Sequence, residues 1–356
     1  MKLSTICVQG AYRPKNGEPR VVPIVQSTTY KYDSSVEMGD LFDLKKSGYF
    51  YSRLQNPTCD TVAAKIAMLE GGVAGMLTGS GQAANFYAVF NIAGAGDHIV
   101  SSTAIYGGTY NLFNVTLRKL GIDFTFVSPS ATEEELAAAI RPNTKAIFGE
   151  TISNPSLEIL DIEKFARVAH KAGVPLIVDE AHGAHFRFSE YFPVSAAQLG
   201  ADVVINSVHK TLPCLTQTGV IHLCSDRVSR EKLKRFLGIY QSSSPSYILM
   251  SSIDACMDKL EREGDEMFRV FTENLEKARR RLSGCKYIRL VTPQACECQR
   301  VFDFDRSKIL LSTVNSSLNG RELHQILRRE FHLEMEMEAE NYVCLLYTSD
   351  AADDRI

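Results

Sequence analysis

Asp179 and Lys210 carry charge where their surroundings do not invite it. Asp179 ends the apolar run VPLIVD, and Lys210 lies just past the run ADVVINS, 31 positions further on. A carboxylate at the tip of a dry strand is tolerable if it meets a cation. A lysine amine beside it is a nucleophile toward carbonyl carbon. The pair suits a pyridoxal phosphate site, in which the amine forms a Schiff base with the cofactor aldehyde. The carboxylate then keeps the pyridine nitrogen protonated, so that the ring draws electrons from the substrate.

A third feature fits the same chemistry. TGSGQAA (78–84) follows an apolar run and opens a helix-like stretch. Small residues there let backbone N–H groups converge on an anion, with the helix start adding positive potential. Ser80, Gly81 and Gln82 form the expected phosphate cradle, and Ser207 is a second donor. Singly, each feature has a plainer reading: a strand-to-helix connection, a helix N-cap at Asp179, a surface lysine at 210. Their order and shared position at strand ends favour the joint reading. His209 reads as a polar neighbour of the phosphate, and His182 and His185 as loop polars. No motif places a third ligand beside the histidines of HGAH, so no metal is expected.

The elements that must hold these residues alternate. Candidate strands are 72–78, 97–102, 123–128, 144–150, 174–179, 201–207 and 219–225, with helical spacing over 133–140 and 162–173 between them. Runs apolar on both faces, alternating with helices, predict an α/β fold with a mostly parallel sheet covered by helices. Ligands in such sheets sit beyond the carboxyl ends of the strands, where Asp179 is. After residue 228 consecutive helices follow, the last two expected to end at Gly264 and Gly284. Strand, strand, helix and a final run over 332–346 then read as a small α+β unit. Residues 1–60 look like an arm packed on something larger.

Composition narrows the class. The chain has 356 residues, 45% hydrophobic and 23% charged, with a net charge of -3, so neither nucleic acid nor a charged tail is indicated. Without a signal peptide or a membrane-length apolar run, the cytoplasm is the expected location. The nine cysteines include no CxxC pair and read as reduced thiols; Cys296 and Cys298 alone are close in sequence.

Residues 1 to about 179 resemble the O-acetylhomoserine sulfhydrylases of the Cys/Met metabolism pyridoxal-phosphate enzymes. The resemblance rests on QSTTYKY (26–32), YFYSRLQNPT (49–58), LEGGVAGMLTGSGQAAN (69–85), IYGGTYNLF (105–113) and ETISNPSLEILDI (150–162). It implies the fold type I transferase architecture and a homo-oligomer acting on a small amino-acid substrate. Tyr51 and Arg53 would reach the phosphate in the partner subunit, Tyr106 would stack on the ring and Asn154 would contact the cofactor–substrate region.

From about 178 to 342, VDEAHGAHFRF, ADVVINSVHKTLPCLTQTG and IYQSSSPSYILMSSID resemble instead the ornithine/lysine/arginine decarboxylases. That resemblance makes Lys210 the Schiff-base lysine, Asp179 the nitrogen partner and His209 a neighbour of the cofactor, with His182 lining the site. Together the two resemblances imply a chimera joined near 173–180. The expected divisions are an arm (1–60), a cofactor-binding domain (61–262), a truncated small domain (263–343) and a tail (344–356). CLLYTSDAADD (344–354) is similar to one reading frame of a sequencing-library adapter. The expected activity is sulfhydrylase-like. A decarboxylase and a composite chain without activity remain as alternatives, because neither half brings the other's carboxylate clamp or phosphate loop.

Overall fold

The computed structural model describes residues 6, 10–43, 45–46, 48–52, 55–152, 157–241, 246–292 and 302–346. In the arm, helix α1 (Ser35–Phe42) is capped by Ser34, and α2 (Pro57–Glu70) by Asn56 with Pro57 in its first turn. There follow β1 (Ala74–Thr78), α3 (Gly81–Ile92), β2 (His98–Ser102), α4 (Gly107–Asn111), β3 (Asp123–Val127) and α5 (Glu133–Ala138). The middle of the chain adds β4 (Thr144–Glu150), β5 (Glu158–Ile159), α6 (Ile162–Lys171), β6 (Leu176–Asp179), β7 (Val203–Ser207), the short turn α7 (Val208–Thr211) and β8 (Gly219–Leu223).

Seven of these strands form one sheet in the order β1-β8-β7-β6-β4-β2-β3. β8 runs antiparallel to both neighbours; the other pairings are parallel. The expected α/β sheet is therefore present, and the reason is visible residue by residue. Phe148, Ile177 and Ile205 face a core formed with α3, while Ile147, Val178 and Val204 face a second core formed with α5 and α6. Strands buried on both faces must be apolar throughout. Gly173, expected to stop α6, has φ +75° just past its C-cap.

Beyond the sheet come α8 (Arg230–Tyr240) and α9 (Tyr247–Ser283). The sequence reading split α9 at Gly264; the structure runs one 37-residue helix through it. Gly264 is itself buried in the helix's apolar stripe, between Leu260 and Phe268. Then follow β9 (Arg289–Leu290), β10 (Asp303–Phe304), β11 (Lys308–Ser312), α10 (Gly320–Phe331), β12 (Met337–Glu338) and β13 (Tyr342–Leu346). The run 332–346 is thus a hairpin, closed where Ala339 N–H donates to Tyr342 O at 2.9 Å. β12, β13, β11 and β9 make a small antiparallel sheet, and β10 pairs with β5 of the larger unit. No helix among the described residues is long and apolar enough to cross a membrane.

Candidate active site

The carboxyl ends of β7, β6 and β4 lie side by side and present Ser207, Asp179 and Glu150, all buried. Asp179 stands opposite Glu150 in register and opposite Ile205 on its other side. The glycine turn meets the same edge. Ser80 caps α3 by accepting the N–H of Ala83 at 3.1 Å. A Cβ placed on Gly81 would lie 2.3 Å from Ser207 Oγ, so the start of α3 nests against the end of β7 because residue 81 has no side chain. Ser80, Gly81 and Ser207, named from sequence as an anion cradle, are brought together.

Gln82 connects the cradle to the carboxylate. Thr109 Oγ1 donates to Gln82 Oε1 at 3.1 Å, and Asn85 Nδ2 reaches Thr109 Oγ1 at 3.3 Å and Asp179 Oδ2 at 2.6 Å. Ala181 N–H donates to the other Asp179 oxygen at 3.0 Å. Burial holds the Asp179 carboxyl above its usual range, opposed by those two hydrogen bonds and by the charge of Lys210. Glu150 is pushed up to about 8, by burial first and by Asp179 second; its Oε2 accepts the Tyr106 N–H at 2.5 Å.

Lys210 Nζ lies 3.2 Å from His182 Nε2 and 5.9 Å from the centre of the Tyr106 ring. Gly108 makes room for that ring, since a Cβ there would lie 2.4 Å from Tyr106 Cε1. His182 is held down to about 2, by burial and then by the charges of Lys308 and Lys210. A neutral imidazole can accept a hydrogen bond from the lysine ammonium. The His209 ring is turned to Thr218, with Nδ1 3.1 Å from its carbonyl oxygen. Tyr51 lies in the arm, bridged to Thr29. Arg53 and Asn154 lie outside the described residues.

Several residues here went unnamed in the sequence reading. Glu150 obeys the rule that singled out Asp179, a carboxylate ending an apolar strand, and was legible. Asn85 had no local signal; it matters only through a contact across 94 positions. Lys308 of β11 is fully buried, with Nζ 4.0 Å from Asp305 and no hydrogen-bond partner among the described residues. It adds positive charge near Glu150, His182 and His185.

A cavity of about 670 Å³ opens on the other side of the glycine turn. Its walls include Asn56, Asp60, Ser80, Thr218 and Lys234, but not Lys210, Asp179 or Tyr106. Volume and chemistry therefore point to different places, and the converging buried charges mark the reactive one.

Residues 4–280 match the family model described as Cys/Met metabolism PLP-dependent enzyme. The chain belongs to that family. The matched range includes residues 173–180. The O-acetyl-L-homoserine sulfhydrylase of Corynebacterium glutamicum is 47% identical over 191 residues, 54% of this chain and 42% of that protein. A sulfhydrylase of Fusarium oxysporum is 39% identical over 245 residues, 68% of this chain and 55% of its own length. The chain thus matches only about half the length of these relatives.

Among solved structures, a Campylobacter jejuni protein holding N'-pyridoxyl-lysine-5'-monophosphate is 25% identical with a TM-score of 0.71, covering 88% of this chain and 82% of that one. Corynebacterium glutamicum metB gives 0.72 at 25% identity, over 96% and 84%. The residues present fit the family's cofactor. They offer an amine, an anion-binding cradle closed by a residue without a Cβ, an aromatic ring and a buried carboxylate already held by two donors.

Proposed function

We propose that the chain is a pyridoxal-phosphate enzyme of sulfur amino-acid metabolism, of the O-acetylhomoserine sulfhydrylase type. The observation that carries the reading is the meeting of Lys210, Asp179 and Tyr106 at one sheet edge, beside the Ser80–Gly81 turn. Pyridoxal phosphate, when bound, supplies an aldehyde carbon for an amine and a ring that draws electrons from the substrate's α-carbon.

The chain's residues do the rest. The N-terminus of α3, with Ser80, Gly81 and Ser207, binds phosphate through N–H and hydroxyl donors. Asp179, braced by Asn85 and Ala181, meets a ring nitrogen and holds its proton there. Tyr106 covers the ring face, fixed by its N–H to Glu150. His182 Nε2 orients Lys210 Nζ, the atom placed to take and return the α-proton. His209, tied to Thr218, flanks the phosphate end. A homo-oligomer in which Tyr51 and Arg53 reach the partner's phosphate and Asn154 contacts substrate completes the reading.

The test is an absorbance titration with pyridoxal phosphate. A Schiff-base band is expected in the parent and missing in Lys210→Ala; a parent without the band refutes the reading. Sulfide-dependent consumption of O-acetylhomoserine then tests the reaction.

A second reading gives residues after about 179 to a decarboxylase-like protein. It is favoured by VDEAHGAHFRF and the sequence around Lys210. A match to one family model that extends to residue 280 weighs against it. Carbon dioxide release from lysine, arginine or ornithine distinguishes the two. Uniform long-read coverage of codons 173–182 tests the join.

A further inference from the structure

Glu150 enters the reading above only as the acceptor of the Tyr106 N–H, yet it is a carboxyl group buried beside the one that matters. Two carboxylates at adjacent parallel strand ends cannot both ionise cheaply out of water. The hydrogen bonds decide which one keeps the proton. Asp179 receives two donors, Asn85 Nδ2 at 2.6 Å and Ala181 N–H at 3.0 Å. Glu150 receives one donor, the Tyr106 N–H, so the ionised form is supported by fewer hydrogen bonds there than at Asp179.

We propose that Glu150 is a positioning residue held as the neutral acid of a proton-sharing pair, leaving the single negative charge on Asp179 and anchoring the backbone of Tyr106. The groups facing it are Asp179 on β6, Lys210 on α7 and Lys308 on β11. The two lysines moderate the pair's charge without cancelling the preference for one proton, because burial raises both carboxyls. Alkaline pH then removes the Glu150 proton and places a second charge behind Tyr106. The site loses its grip on the cofactor even though Asp179 is unchanged. This rests on the reading of Asp179 and Tyr106 as cofactor contacts.

The experiment compares the parent with Glu150→Gln, which keeps the shape and the acceptor oxygen but cannot ionise, and with Glu150→Ala. Infrared difference spectra of the cofactor-free chain between pH 6 and pH 10 should show a protonated-carboxyl band lost on alkalisation in the parent and missing in Glu150→Gln. Pyridoxal phosphate affinity, measured by equilibrium dialysis, should fall about tenfold for the parent across that range and stay within about twofold for Glu150→Gln. At pH 7, Glu150→Ala should bind about tenfold more weakly, because the part-buried Tyr106 N–H has lost its acceptor. A Glu150→Gln chain that keeps the infrared band, or follows the parent's pH curve, overturns the proposal. The infrared arm needs no cofactor, so failure to bind pyridoxal phosphate at all would count against the proposed function and leave the carboxyl pair separately decided.

Discussion

Mild acid should destabilise this protein. The cause is three buried histidines, His182, His185 and His222, whose Nδ1 atoms have no hydrogen-bond partner among the described residues. Burial dominates in each case, holding His182 down to about 2 and the other two to about 4. Lys308 reinforces the effect at His182 and His185, while Asp305 opposes it at His185. In the unfolded chain a histidine titrates near 6.5. Below that pH the unfolded state binds protons the fold refuses, so stability present above 6.5 is lost as pH falls toward 4. Each histidine costs about 1.4 kcal/mol per pH unit in that window, and the three together about 4.

Glu150 acts in the opposite sense. Its raised value, about 8 against 4.5 unfolded, adds stability as pH falls between those limits. Asp179 and Asp60, also raised by burial, share that sign. These groups offset part of the histidine loss, which alone comes to about 5 kcal/mol between pH 6.5 and 5, so the net is about 3 kcal/mol or less against a typical total of about 5–15. Urea unfolding of the cofactor-free chain, followed by circular dichroism at pH 7.5, 6.5, 5.5 and 5, reads it directly. His222→Leu should remove about one third of the histidine contribution to the slope. A midpoint that does not move between pH 7 and 5 would refute the reasoning.

Two substitutions probe the side-chain ties around the site. Asn85→Ala removes a hydrogen bond to a buried carboxylate, worth about 1.5–3 kcal/mol, and should weaken pyridoxal phosphate binding about ten- to hundredfold in equilibrium dialysis. Unchanged affinity would mean that Asn85 does not support Asp179. Lys308→Met leaves Asp305 buried without its counter-charge and should cost about 3–5 kcal/mol in urea unfolding, whereas Lys308→Met with Asp305→Asn should recover to within about 1 kcal/mol of the parent. A double variant no better than the single one would count against a charge pair.

What was legible in the sequence follows from what each element needs locally. TKAIFGE (144–150) and β4 coincide because a strand buried on both faces has no choice but to be apolar, and its polar last residue marks where it leaves the core. The same logic found Asp179 and stopped there, although Glu150 satisfies it equally. α9 was misread at Gly264 because glycine is a poor helix former, by about 1 kcal/mol. The stripe Ile253, Met257, Leu260, Phe268, Phe271 and Leu275 continues through it, and burial of that stripe outweighs one unfavourable residue. The hairpin in 332–346 was hidden because period-two patterning continues across its turn. Asn85, Thr109 and Lys308 were beyond local reading altogether, since their roles are contacts between distant segments.

The sheet edge between β6 and β7 poses the sharpest physical question about how the proposed site is packed. Backbone register does not answer it. Ile177 pairs with Val203 and Val178 with Val204, and apolar residues of that shape occur in any parallel core strand. Side-chain complementarity between segments distant in sequence is more demanding, and Gly81 against Ser207 is a close instance. An added Cβ would overlap Ser207 Oγ at 2.3 Å but clear Ser207 Cβ at 3.7 Å. Gly81→Ala alone should therefore cost about 1–3 kcal/mol from overpacking, less about 1 kcal/mol regained from helix propensity. Ser207→Ala should be milder. Together they should be more stable than their separate effects predict, because the obstructing oxygen is gone while the helix gain remains. A coupling of about 1 kcal/mol or more, read from urea unfolding of the four chains, is expected of groups in contact. Simple additivity would mean that α3 does not seat against β7, and the proposed phosphate cradle would have to be abandoned.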